Sequence, residues 1–223
     1  MFRPLLVGAV ENEMGIVAVL GTYDPSPTIG KLEYFHAARR LTEGGSAALM
    51  TSRGDVEARL RLTCDDAKYA LGEYLSDLYF GFFDGPETPR TDTGIQRFTQ
   101  MFGALCRTKK FAGVDRTKRG VVAKFQDVAT GRYVTSAQLS CGEKQQLLFA
   151  TTFLRCGLED SVILVDVPEL FLGEQGAVAL LAGLQTLGRG NQIIAATSLH
   201  ALSPGPDAGN PGSAVVLRLG EGG

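Results

Sequence analysis

Leu139-Ser140-Cys141-Gly142-Glu143-Lys144-Gln145 combines residue types that can receive an anion. Ser140 can cap a helix, and Glu143, three residues on, can complete a capping box. Gly142 lets backbone amides approach a ligand closely, and a helix N-terminus attracts phosphate. A plain capped helix has the same letters. Downstream, the apolar run Val162-Ile163-Leu164-Val165 ends at Asp166-Val167-Pro168-Glu169. A carboxylate closing a buried strand can hold the hydration shell of Mg²⁺. Gly30-Lys31 follows a Pro-rich loop and could neutralise a phosphate. An ordinary Pro-rich strand–helix loop with a surface lysine is the commoner meaning of the same letters. Arg107, Lys109, Lys110, Arg116, Lys118, Arg119 and Lys124 form a basic run broken by Asp115. That run reads as a solvated loop or as a local phosphate-contacting patch.

Elements must position these groups. Leu5–Val10 and Ile16–Leu20 read as a hairpin or neighbouring strands, and residues 21–30 as a loop. Leu32, Phe35, Ala38 and Leu41 have helical spacing, which predicts a helix over Lys31–Leu41. Val56–Thr63 alternates as a strand, and the aromatic block 68–83 fits either period. Helices are predicted over Ile95–Cys106, from Ser140 to about Cys156, and over Gln175–Leu187. Strands are predicted over Val121–Phe125, Val162–Val165, Gln192–Ala196 and Ala214–Leu219. Four consecutive apolar residues in Val162–Val165 suit a parallel strand covered on both faces. Strand–helix–strand alternation in the second half makes this an α/β chain.

The heptapeptide and the Asp166 strand together resemble the LSxGEKQ signature and Walker B strand of ABC-type ATPases. The branch they resemble is that of the SMC, RecF and OLD-type enzymes. The likeness is carried by residues 120–200. It implies a P-loop NTPase-type fold: a mostly parallel sheet, flanking helices and a small antiparallel β lobe. Residues 1–223 would form one domain, with an N-terminal lobe to about 125 and a signature/Walker B lobe from about 126 to 223. It implies that Gly30 and Lys31 are the remnant of Walker A, that Asp166 holds Mg²⁺, and that Ser140, Gly142 and Glu143 serve ATP bound by an opposite subunit.

The departures share a direction. Val167 stands where the family has its catalytic glutamate, and valine cannot accept a proton. Ser198 takes the switch-histidine position, with His200 two residues on. Leu32 replaces the Ser/Thr after Lys31, and Pro25 and Pro27 remove amide donors from the loop. Glu169 could replace the lost glutamate only if the backbone re-aims it. The expectation is a degenerate, non-hydrolysing subunit that pairs with an intact ATPase, or with a second copy, and meets ATP and Mg²⁺ at a shared site. An active ATPase of DNA maintenance or phage defence, redeploying Lys31, Asp166, Glu169 and His200, is the alternative. A nucleotide-independent scaffold is another.

A net charge of −2 confines any DNA contact to a patch such as Arg107–Lys124. With 44% apolar and 21% charged residues, 223 residues suffice for a core. Cys64, Cys106, Cys141 and Cys156 have no CxxC pairing, which predicts reduced thiols. Neither a signal-peptide plan nor a membrane span is legible, so the expected setting is cytoplasmic.

Overall fold

The computed structural model describes residues 30–41, 92–117 and 120–199. Within them lie two three-stranded sheets and three α-helices. The chain is therefore α/β in class. The predicted elements at 5–10, 16–20, 56–63, 68–83 and 214–219 lie outside the described residues.

The first sheet is parallel, with β5 (Val162–Asp166) between β1 (Leu32–Phe35) and β6 (Gln192–Ala196). Leu32 pairs with Val162 and Phe35 with Val165, while Val162 to Asp166 pair in order with Gln192 to Ala196. Parallel neighbours need a crossover. Helix α3 (Gly173–Thr186) supplies it between β5 and β6. Ile163 and Val165 are buried, while Val162 and Leu164 on the other face are half-buried, so among the described residues the expected cover on both faces is complete on one face alone.

The second sheet is antiparallel: β2 (Lys109–Thr117), β3 (Gly120–Asp127) and β4 (Tyr133–Thr135). Helix α1 (Asp92–Leu105) packs Phe98 and Phe102 against Phe111 and Phe125 of this sheet. Helix α2 (Cys141–Cys156) packs Phe149 against Phe35 of the parallel sheet, with ring centroids 4.4 Å apart. One core cluster thus spans both sheets. Gly183 lets α3 approach α1: a Cβ there would sit 2.7 Å from a Leu105 methyl.

Two expectations are corrected. Residues 32–35 form a strand, where a helix over 31–41 is predicted. Spacing of three among Leu32, Phe35 and Ala38 cannot separate the two over so short a stretch. The decision falls to the ladder with β5, which buries Glu33 and Phe35 on one face. The basic run, read as a loop, contains the nine-residue β2. Its alternation is hidden by a β-bulge between Phe111 and Gly113, where Gly113 has φ 109°.

Candidate functional site

The first turn of α2 is built as the sequence predicts. Glu143 N donates to Ser140 Oγ at 3.2 Å, and Ser140 N donates to Glu143 Oε2 at 2.8 Å. A capping box satisfies the N-cap and N3 amides and leaves those of Cys141 and Gly142 for another acceptor. The Glu143 carboxylate also accepts from Thr108 Oγ1 at 2.6 Å and Lys109 Nζ at 2.8 Å. Lys109 reaches Asp127 as well, at 2.7 Å. Burial pushes the Glu143 carboxyl up, but Lys109, Thr108 and Ser140 outweigh it and hold it at about 2. Bonds to Asp127 and then Glu143 push Lys109 up to about 12. Asp127 is held well below the carboxylate range by Lys109 and by Thr130. Glu143 is thus a fixed anion that braces the helix start, and proton transfer is a poor use for it.

A groove of about 670 Å³ opens beside this turn, lined in part by Arg107, Ser140, Gly142, Phe171 and Gly183. Arg107 and Ser140 are exposed on it. One side of Gly142 is covered: a Cβ there would lie 3.0 Å from the Phe171 carbonyl and a Leu172 methyl.

The second cluster sits at the carboxyl end of the parallel sheet. Asp166 closes β5 beside Ala196. Val167 has φ 49°, the left-handed region, and its amide donates to Ala196 O at 2.9 Å. The backbone then turns, with Leu170 N on Val167 O at 3.1 Å. This turn carries Glu169 to the loop after β6. Its carboxylate accepts from Thr197 Oγ1 at 2.9 Å, and from Ser198 N and Oγ at 3.3 Å each. An extended chain at Val167 would send Glu169 elsewhere. Asp166 and Glu169 therefore share one end of the sheet with Ser198, which lies 29 residues beyond Glu169. His200 lies outside the described residues.

Gly30 and Lys31 occupy the opposite end. Lys31 N donates to Ser161 Oγ at 3.0 Å, and its ammonium reaches Gly157 O at 3.0 Å. Residues 31 and 161 precede Asp166 by five strand steps, roughly 16 Å. A Cβ on Gly30 would strike the Asp160 carbonyl, so this glycine serves close packing. Lys31 leads directly into β1, a strand, and it lies too far from Asp166 for both to act on one phosphate and its Mg²⁺. Oxygen donors at Asp166, Glu169, Thr197 and Ser198 suit Mg²⁺ chemically. The phosphate half of such a site does not fit Gly30 and Lys31.

In the basic run, Lys109 is committed to Glu143 and Asp127, and Lys124 to Asp115 at 2.9 Å. Arg107 and Lys110 are exposed. No described helix is long and apolar enough to cross a membrane. Sequence reasoning missed Arg39, whose guanidinium donates to the carbonyls of Asp166 at 2.6 Å and Val167 at 3.0 Å. Backbone acceptors 127 and 128 residues away leave no trace in the sequence around it.

No protein-family model matches this chain, and no curated protein is similar to it in sequence. The described residues define an α/β domain with a parallel sheet joined to a small antiparallel one. Its two chemically equipped places are the capped start of α2 and the acidic turn at the end of β5.

Proposed function

We propose that this chain is a degenerate ABC-type, SMC/RecF-like ATPase domain. It pairs with an intact ATPase subunit and offers its Ser140–Gly142 helix start to ATP held by that partner. The carrying observation is the contrast between the two equipped places. Ser140 caps a 16-residue helix whose Cys141 and Gly142 amides have no intrahelical acceptor, and the helix start stands beside a groove with an exposed Arg107. At the acidic turn, Val167 supplies no base, and Lys31 is committed at the far end of the sheet. The helix start can receive an anion, while the chain's own phosphate-binding half is missing from the described residues.

The test is ATP turnover by the pure chain and by its native complex. The isolated chain is expected to show no Mg²⁺-dependent hydrolysis. The complex is expected to hydrolyse ATP and to lose that activity when Ser140 of this chain is changed to Arg. Robust turnover by the lone chain, abolished by Asp166→Ala, would overturn the proposal in favour of an active enzyme using Asp166 and Glu169. A second reading, a scaffold that never meets nucleotide, is favoured by the Phe171–Leu172 cover over one side of Gly142. It predicts that Ser140→Arg leaves the complex's turnover intact.

A further inference from the structure

Arg39 heads the side chains fully removed from solvent. A guanidinium keeps its charge at any accessible pH, so burying it requires fixed acceptors. Arg39 has them in backbone carbonyls: His36 at 3.1 Å and Asp166 at 2.6 Å from Nη1, and Val167 at 3.0 Å from Nη2. Its guanidinium lies over the Phe149 ring of α2, 5.2 Å from the centroid. Its own carbonyl accepts from Gln145 Nε2 at 3.3 Å. Gln145 is buried one turn into α2, behind the Ser140 cap.

One residue therefore touches both equipped places. Its guanidinium grips the peptide that opens the acidic turn, and its backbone and ring contact belong to the capped helix. Val167 is β-branched and left-handed, a conformation that persists only where surroundings impose it. The Arg39 bonds to the carbonyls on either side of that Cα are such an imposition. The side-chain amide of Gln145 donates to Arg39, so its hydrogen-bonded route to the turn runs through that residue.

We propose that Arg39 is a positioning residue that fixes the Asp166–Glu169 turn and couples it to the start of α2. A change at the helix start, whether a docked ligand or a partner subunit, alters the order of the acidic turn through Gln145 and Arg39. The reverse coupling has equal magnitude. This inference stands whether or not the chain meets nucleotide.

Amide exchange by mass spectrometry on the full chain tests it. Gln145→Ala should speed exchange of the hydrogen-bonded amides of Val167, Leu170 and Leu172 by about five-fold, the effect of one lost net hydrogen bond. Amides of the β3–β4 hairpin should keep their rates, which separates coupling from general loosening. Arg39→Lys keeps the charge and loses the fork. In that background the turn should already exchange faster, and Gln145→Ala should add nothing. Faster exchange confined to α2 after Gln145→Ala would overturn the proposal. So would an equal increment in both backgrounds. If Arg39→Lys does not fold, Val167→Gly in the native chain decides. Glycine takes that positive φ without strain, so the turn is held more firmly and exchange at residues 144–146 must slow relative to the β3–β4 hairpin; unchanged relative rates there would also overturn the coupling.

Discussion

Val167 concentrates the residue-level chemistry. Its side chain offers no base at the end of β5, and its φ of 49° swings Glu169 onto Thr197 and Ser198. The letter was legible in the sequence; its consequence for Glu169 was not, because alternation along an extended chain assumes a negative φ. A left-handed L-residue costs roughly 1–2 kcal/mol, and asparagine tolerates that region better than a β-branched residue. Val167→Asn should therefore raise the unfolding free energy by about 0.5–1 kcal/mol, read from urea transitions at unchanged slope. A loss of stability would mean that Val167's packing outweighs its strain. Gly30 and Lys31 are a related case. A Gly-Lys pair after a proline-rich loop suggests phosphate, yet the close approach to Asp160 and the bond to Gly157 make both packing residues.

Among elements, α2 was the most legible, since its cap, its buried face and its Gly157 stop are all local signals. The strand β2 was hidden because a bulge broke its alternation, and β1 because four residues carry too little periodicity. The consequence of β2 is electrostatic. It delivers Lys109 to Glu143 at the start of α2 and to Asp127 at the end of β3. Glu143 has its folded value lowered from 4.5 to about 2, so its stabilisation is complete above about 4.5 and is lost as pH falls toward 2. Lys109 has its value raised from 10.5 to about 12, so its share is complete below 10.5 and is lost as pH rises toward 12. Lys109→Met removes the ammonium that holds Glu143 down. Acid unfolding followed by circular dichroism should then begin at a higher pH than in the native chain. An unmoved acid midpoint would show that Thr108 and the Ser140 cap hold the carboxylate without help.

On the scale of the whole molecule, the proposed role makes ligand response depend on company. A ligand at 100 times its dissociation constant stabilises a fold by about 2.7 kcal/mol. Mg²⁺-ATP should leave the melting temperature of the lone chain unchanged and raise that of its native complex. A clear shift in the lone chain would point to a nucleotide site of its own. The sequence alone determined the α/β class, the capped helix at Ser140, the central apolar strand ending in Asp166 and the absence of a glutamate at 167. These arise from periodicity, capping and side-chain chemistry, which act over a few residues. Only tertiary structure decided that Lys31 lies at the end of the sheet opposite Asp166 and that Lys109 braces the helix start. It alone showed that Glu169 meets Ser198 and that Arg39 ties the two equipped places together. Strand direction, a left-handed residue and hydrogen bonds to distant carbonyls set those outcomes, and none of them is encoded in the type of a neighbouring residue.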